Sequence, residues 1–566
     1  MTKTKMFSRL TIGDSGSNSP TARGQFQLRQ AMVLCGLFAI FSLVGGNLVS
    51  LAVLKEKTVK IHRASPLGVQ KFRPDILDSE GQLLATDIEA PSLYADPSGL
   101  MEPAKVVKKL KSKLPDLDEM DLLRQMSHED RQFVFIKRGL HPKVAQEVFD
   151  LGLPGVDVTK EIRRVYPKGQ LAGFVLGHVD IDNVGRSGIE KYIDHKREQA
   201  PLSLNVRAND PVTLSVNIAA SHVLQQELAS AMSRYKAKAA AGLVMNVNSG
   251  EVVALSSLPS VDPQNPTSKL SNDRIDRISG GVYELGSVFK TVSMAMVLDK
   301  KLATMKSKID VTGPLKIGSH SISDYHGVKG KLTLEDIFVR SSNIGTAKLA
   351  LKAGPKAHRA FLKKLHLLDP IETEIGQMRA PETAKRWGEV HSATASYGHG
   401  LALPPLQFAA TVGALVNGGI YVPPTFIKRS EREGKALGER VVSVDTSDKI
   451  RKLLRLNVTS DHGTARRADV GPYQVGGKTG TANKVVKGKY SKDKVRTSFV
   501  GIFPYDRPEY LVFVMLDEPQ ATKASSNLTV AGANAAPTTG RIISRLAPLF
   551  KVKPFYPVLN RLTELR

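Results

Sequence analysis

Val475-Gly476-Gly477-Lys478-Thr479-Gly480-Thr481-Ala482 decides how this chain is read, because it lies downstream of Ser287-x-x-Lys290 and Ser341-x-Asn343. Each fragment alone is weak: Ser233-x-x-Lys236, Ser491-x-x-Lys494, Ser215-x-Asn217 and Ser525-x-Asn527 occur in the same chain. Order and spacing say more. Ser341 follows Ser287 by 54 positions, Lys478 follows Asn343 by 135, and Lys-Thr-Gly occurs once. Together the three segments have the pattern of a serine acyl-transfer site.

Working outward, the apolar runs 498–503 and 510–516 read as strands, so the Lys478 segment is expected on a sheet strand lining a cleft. Gly476, Gly477 and Gly480 are read there as positions where a substrate backbone comes close. Residues 288–298 are apolar with few breakers, which predicts a buried helix with Ser287 in its first turn. Unpaired N–H groups and the positive dipole end of that turn favour negative charge on an attacked carbonyl. Lys290 stands one helical turn on, beside the Ser287 hydroxyl. A serine needs a base, and no Ser-His-Asp set is evident. A lysine with an ordinary pKa of about 10.4 becomes a base when burial and a second cation favour its neutral form; Lys478 is the candidate second cation. Ser341-Ser342-Asn343 follows a helix-like stretch, 332–340, and reads as the loop to the next helix.

On these residues the chain resembles a class B penicillin-binding protein of the division type, a membrane-anchored peptidoglycan D,D-transpeptidase, from about residue 70 to about 550. Gly242-Leu243-Val244-Met245 through Gly250-Glu251-Val252 resembles the strand-turn-strand that opens the family's catalytic domain. Ser396-Tyr397-Gly398-His399-Gly400 and Pro404-Pro405-Leu406-Gln407 are similar to a helix entry in which the family usually has Gln at the place of His399. Arg73-x-x-Ile76-x-Asp78-x-x-Gly81, Arg163-Arg164-Val165-Tyr166-Pro167 and Gly188-Ile189-Glu190 resemble its non-catalytic pedestal. The Arg-Arg-x-Tyr-Pro form is closest to the division branch. Pro74, Leu285 and Val288 depart from the usual Gly, Pro and Thr.

The resemblance implies that Ser287 attacks the penultimate D-Ala of a stem peptide and expels the terminal D-Ala. Lys290 is then the base, Ser341 a proton relay, and Asn343 the group holding Lys290 and the substrate amide. Lys478, Thr479 and Thr481 receive the terminal carboxylate, with Gly480 between them. Backbone N–H groups of Ser287 and Thr481 form the oxyanion hole. β-Lactam antibiotics are implied as acylating ligands. The implied partners are a polytopic lipid-linked-precursor glycosyltransferase and other division proteins.

The 566 residues, 41% hydrophobic, exceed one compact core. The expected layout is a disordered cytoplasmic tail over 1–30, a transmembrane anchor over 31–54, a mixed pedestal of dimerisation type over 55–210, the transpeptidase domain over 211–552, and a C-terminal tail over 553–566. Residues 31–54 carry no charge, enough helix for a bilayer core of about 30 Å. The alternative is a cleaved signal peptide ending near Ser50-x-Ala52. Charges flanking the span are nearly balanced, so the resemblance alone puts the body outside the inner membrane, in the periplasm. The fold class expected is α/β (α+β): a penicillin-binding transpeptidase fold with a central antiparallel sheet flanked by helices.

The only cysteine is Cys35, and the 13 histidines lack metal-ligand spacing; no metal or nucleotide cofactor is implied. The net charge of +26 comes without any basic-aromatic nucleic-acid module, and is read as a surface facing anionic lipid and an acidic wall polymer. Lys484, Lys487, Lys489, Lys492, Lys494 and Arg496 are expected on a solvated hairpin, with substrate steering as the sharper reading. Three further functions share parts of the pattern. A serine β-lactamase has the trio, but this chain shows no acidic loop to activate water. A β-lactam sensor would want a larger cytoplasmic part, and a division scaffold would not need an intact cleft. An elongation-type transpeptidase stays open.

Overall fold

The computed structural model describes residues 32, 34–39, 41–45 and 72–556, apart from 129, 200–209, 267–273, 326 and 487. The expected tail 1–30, positions 31, 33, 40 and 46–54 of the expected anchor, and 557–566 of the expected C-terminal tail lie outside the described residues. The described positions between 32 and 45 are helical. Among the described residues no helix is long and apolar enough to cross a membrane.

The larger body is built on a five-stranded antiparallel sheet. Helix α1 (Ile218–Tyr235) leads into strands β1 (Ala239–Asn246) and β2 (Val252–Leu258). Helices α2 (Lys290–Asp299), α3 (Pro405–Val416) and α4 (Val444–Thr459) follow. Strands β3 (Gly476–Val486), β4 (Lys489–Phe503) and β5 (Tyr510–Asp517), then helix α5 (Ala535–Leu549), close the order. The strand order is β3-β4-β5-β1-β2, which puts the Lys478 strand at an edge.

Alternation builds the two faces. Leu243, Met245, Val500, Ile502, Leu511 and Phe513 join one core with α2, α3 and most of α4. Val244, Phe499, Phe503, Val512 and Val514 point the other way into a second core with α1 and α5. Side chains one apart along a strand face opposite ways, so strands covered by helices on both faces read as continuous apolar runs. Ser287 lies in a 3-10 turn (Gly286–Phe289) that feeds directly into α2; the expected first helical turn is thus a tighter one. Asn217 caps α1 by accepting the Ala220 N–H at 2.9 Å.

Before α1 the chain folds as a pedestal. A long strand (Leu83–Ala95) pairs with Val134–Lys137 and Val156–Val165, and helices Pro103–Lys113, Glu119–Met126 and Pro142–Phe149 cover a separate apolar cluster at its head. Its base joins the catalytic body. Ile76–Leu77 pairs in parallel with Val212–Thr213, and Ile76, Leu84 and Ile189 belong to the same core as α2. Asp78 turns the chain around Gly81 by accepting the N–H groups of Glu80 and Gln82, each at 2.8 Å, and its second oxygen accepts the first N–H of α1, that of Ile218, at 3.0 Å. Buried Arg73 and Arg164 converge on buried Glu190 at 2.9 and 2.7 Å.

Candidate active site

The site is a seam where the Ser287 turn, the turn at Ser341 and strand β3 meet. Gly286 has φ +63, and a Cβ there would stand 2.8 Å from the Thr481 carbonyl oxygen and 3.3 Å from its nitrogen. That closeness sets the backbone of Thr481 beside that of Ser287. On Gly480 a Cβ would stand 2.4 Å from the Leu285 carbonyl oxygen, on Gly398 (φ +84) 2.2 Å from that of Gly286, and on Gly477 2.3 Å from the Phe499 ring. The glycines of the Lys478 segment therefore admit the protein's own backbone and core. A Cβ on Gly476 would likewise meet Leu454, at 3.2 Å, so these glycines are needed for packing within the protein, apart from any approach of substrate along the edge of β3.

Lys290 is fully buried. Its Nζ donates to the Ser341 carbonyl oxygen at 2.5 Å, the Ser341 hydroxyl at 3.0 Å and Asn343 Oδ1 at 2.8 Å. Among the described residues it makes no hydrogen bond to the Ser287 hydroxyl, which is half-buried at the mouth of the seam. Two of the three acceptors, the carbonyl and the amide oxygen, can only accept; the Ser341 hydroxyl can also donate. A neutral Lys290 keeps the first two bonds and turns its lone pair to the third. Ser341 reaches this position with φ +60, in left-handed backbone that a non-glycine residue adopts only when its surroundings impose it.

The end of the helix Leu334–Val339 sets it, the Ser341 N–H donating to the Phe338 carbonyl at 3.2 Å and the Ser342 N–H to the Ile337 carbonyl at 2.9 Å, and the residues that follow are held by Asp324, which nothing in the sequence singled out. Its carboxylate accepts the Ser342 hydroxyl at 2.7 Å and the N–H groups of Asn343 and Ile344 at 2.5 and 3.0 Å, at the start of the helix Asn343–Leu351. The Asn343 side-chain amide donates to the Ser323 carbonyl at 3.2 Å.

Lys478 is also fully buried. Among the described residues its Nζ reaches one acceptor, the Thr479 carbonyl oxygen at 3.4 Å, and it stands 5.6 Å from the centre of the Phe338 ring. Burial pulls its pKa down to about 7. Burial, then the charge of Lys478, hold Lys290 well below the ordinary lysine value, and Asp324 opposes them in part. Thr479 donates its hydroxyl to Thr464 at 2.7 Å, and Thr481 Oγ1 accepts the Ala531 N–H at 3.1 Å. Asn457 ties α4 to β3 by donating to the Gly477 carbonyl at 2.8 Å. The eight predicted residues thus lie on three adjoining segments. Two buried lysine amines sit there without an ion-paired carboxylate among the described residues, next to a serine whose turn joins the edge strand.

The basic run after Lys478 differs from the expectation. Lys484 is paired with Asp517 and Glu518 at 2.9 and 2.7 Å, and Arg496 with Asp517 at 3.5 Å; Lys489 and Lys494 are exposed. Its described members are divided between a structural ion cluster and a solvated tip; Lys487 and the Lys492 side chain lie outside the described residues.

Comparison with known proteins agrees with this geometry. The penicillin binding protein transpeptidase domain matches residues 240–540, and the penicillin-binding protein dimerisation domain matches residues 70–196. The chain is 35% identical over 493 residues to the probable peptidoglycan D,D-transpeptidase FtsI of Caulobacter vibrioides, covering 86% of this chain and 82% of that one. It is 27% identical over 556 residues to the peptidoglycan D,D-transpeptidase FtsI of Escherichia coli K12, covering 92% of each. A crystal structure of penicillin binding protein 3 from Mycobacterium tuberculosis, complexed with aztreonam, shares the fold at a TM-score of 0.64 and 24% identity, over 86% of this chain and 97% of that one. With a catalytic-domain match over more than half its length and a relative this similar along most of both chains, the protein belongs to the penicillin-binding protein transpeptidase family.

Proposed function

We propose that this protein is a septal peptidoglycan D,D-transpeptidase that cross-links stem peptides through an acyl-enzyme on Ser287. What carries the reading is the buried Lys290, held on Ser341 and Asn343 beside a second buried lysine that has no counter-ion among the described residues. The Ser287 proton passes to Lys290, with the Ser341 hydroxyl as relay, as Oγ attacks the penultimate D-Ala carbonyl. The N–H groups of Ser287 and Thr481 take the oxyanion charge. The peptide C–N bond breaks, and the terminal D-Ala leaves with the proton that Lys290 returns. An amine of a neighbouring stem peptide then attacks the ester, gives up a proton by the same route, and restores the Ser287 hydroxyl. Lys478, with Thr479 and Thr481, receives the donor's carboxylate, whose negative charge favours the ammonium form of Lys478. A β-lactam enters as the same donor and stays as an ester.

On this reading 31–54 anchors the chain in the inner membrane, 55–210 is the pedestal, and 211–552 carries catalysis in the periplasm. The partners are division proteins, including the polytopic glycosyltransferase that supplies glycan. The division role rests on likeness to proteins named FtsI.

The test is mass spectrometry of the purified full chain after incubation with benzylpenicillin, beside Ser287→Ala. A persistent adduct of one drug mass, absent from the variant, is expected. A folded chain without adduct would overturn the enzymatic reading in favour of a scaffold, and rapid drug loss without adduct would point to a hydrolase.

A further inference from the structure

The residues just before Ser287 are gripped one after another by the β3–β4 hairpin and by the turn at Gly398. The Arg496 guanidinium lies 4.2 Å over the Tyr283 ring. Ser498 donates its hydroxyl to the Leu285 carbonyl at 3.0 Å, and the Gly286 N–H donates to the Gly398 carbonyl at 3.3 Å. Between them stands Glu284. Its Oε1 accepts the Gly400 N–H at 2.7 Å and the Tyr490 hydroxyl at 2.9 Å, so one carboxyl oxygen joins the serine strand, the 398–400 turn and the hairpin.

Tyr490 is out of place as a stabilising contact. It is 51% exposed, near the hairpin tip, where β3 and β4 fall out of register between Asn483 and Val485. Such an irregularity bends and twists a strand pair and re-aims a side chain; here Tyr490 faces Val485 across the hairpin and turns its hydroxyl toward Glu284. The His399 ring fills the remaining gap, with centroids 5.2 Å from Tyr397 and 5.9 Å from Tyr490. His399 Nδ1 and Glu284 Oε2 are buried without a hydrogen-bond partner among the described residues. The cluster thus makes contacts that fix position and leaves polar atoms unsatisfied, a poor bargain for stability alone.

We propose that Glu284 and Tyr490 are positioning residues for acylation: their hydrogen bond latches the hairpin to the strand three residues before Ser287 and sets the nucleophile's aim. The inference rests on Ser287 being the acylated residue. Gly286 leaves no slack to absorb a shift, because the Thr481 and Gly398 backbones bound it on two sides. Releasing the latch therefore moves the reacting oxygen instead of relaxing harmlessly, and small misplacements are expensive in rate.

The experiment uses the detergent-solubilised full chain and a fluorescent penicillin, followed by stopped flow so that non-covalent binding and the acylation step are separated. Tyr490→Phe removes one half-exposed hydroxyl and is expected to slow acylation about tenfold. Non-covalent binding should change less than about twofold, and Tm should stay within about 2 °C. Glu284→Gln should slow the same step, and the double variant should be no slower than the worse single, because both act through one bond. Tyr490→Phe acylating at the wild-type rate while folded would overturn the inference and leave the Ser287 assignment standing. A wild-type chain forming no adduct would overturn that assignment and this inference with it.

Discussion

Lys478 holds a charge problem that the fold itself creates. Burial pulls its ammonium down to about 7, whereas in the unfolded chain a lysine titrates near about 10.4. Below about pH 7 both states carry the proton and the cost of the buried cation is fully present. Between about 7 and 10 the unfolded chain keeps a proton the folded chain has released, so stability rises with pH across that window. Lys290, also lowered by burial, adds in the same direction. Lys478→Met is expected to raise Tm at the acid end, by the equivalent of a few kcal/mol at most, and to flatten the rise toward alkaline pH. Calorimetry of both chains across the window checks this; parallel curves would mean the amine stays charged when buried. The eight candidate site residues were legible in the sequence because the acyl-transfer pattern restricts both their type and their order. Asp324 was not. It is an ordinary acid in a polar loop, and only the fold brings it to the N–H groups of Asn343 and Ile344. Glu284 and Tyr490, 206 positions apart, were hidden for the same reason.

The sheet strands were legible because both faces are covered, which makes β1, β4 and β5 continuous apolar runs. The internal packing role of the glycines on β3 was not legible. Sequence cannot distinguish a glycine that admits a ligand from one that admits its own neighbours, and at Gly480 the neighbour is the Leu285 carbonyl. Gly286→Ala tests how tight the seam is. The left-handed backbone costs about 1–3 kcal/mol, and the added methyl meets the Thr481 carbonyl. Penicillin labelling is expected to fall at least about tenfold with the far-ultraviolet circular dichroism unchanged. Gly81→Ala, with φ +82 and nothing within 4 Å of its Cβ, carries the backbone penalty alone, and should label at the wild-type rate. Equal behaviour of the two variants would mean that the seam can open.

Across the molecule, the pedestal is fastened through its base. Arg73 and Arg164 share Glu190, while Arg164 also reaches Asp87 at 3.2 Å and the Pro74 carbonyl at 2.9 Å. Arg73, Pro74, Arg164 and Glu190 were visible in sequence, but Asp87 and the pairing were not, because the pairs join segments 26 to 117 positions apart. Removing one partner of a buried ion pair leaves the other uncompensated, at about 3–5 kcal/mol. Glu190→Gln keeps the shape and loses the charge, while Asp194 still holds Arg73 at 2.6 Å and Asp87 still holds Arg164 at 3.2 Å, so the unfolding free energy from urea titration is expected to fall by up to that amount; an unchanged value would show that the two remaining carboxylates suffice.

The interlocked glycines at 286, 398 and 480 also limit the routes by which such a chain can change under drug selection. A side chain gained at any of them collides with the backbone that carries the serine or with its neighbours, so substitutions inside the seam disable normal turnover along with inhibition. Viable escape is left to the rim, where the exposed Lys489 and Lys494 can vary without entering it.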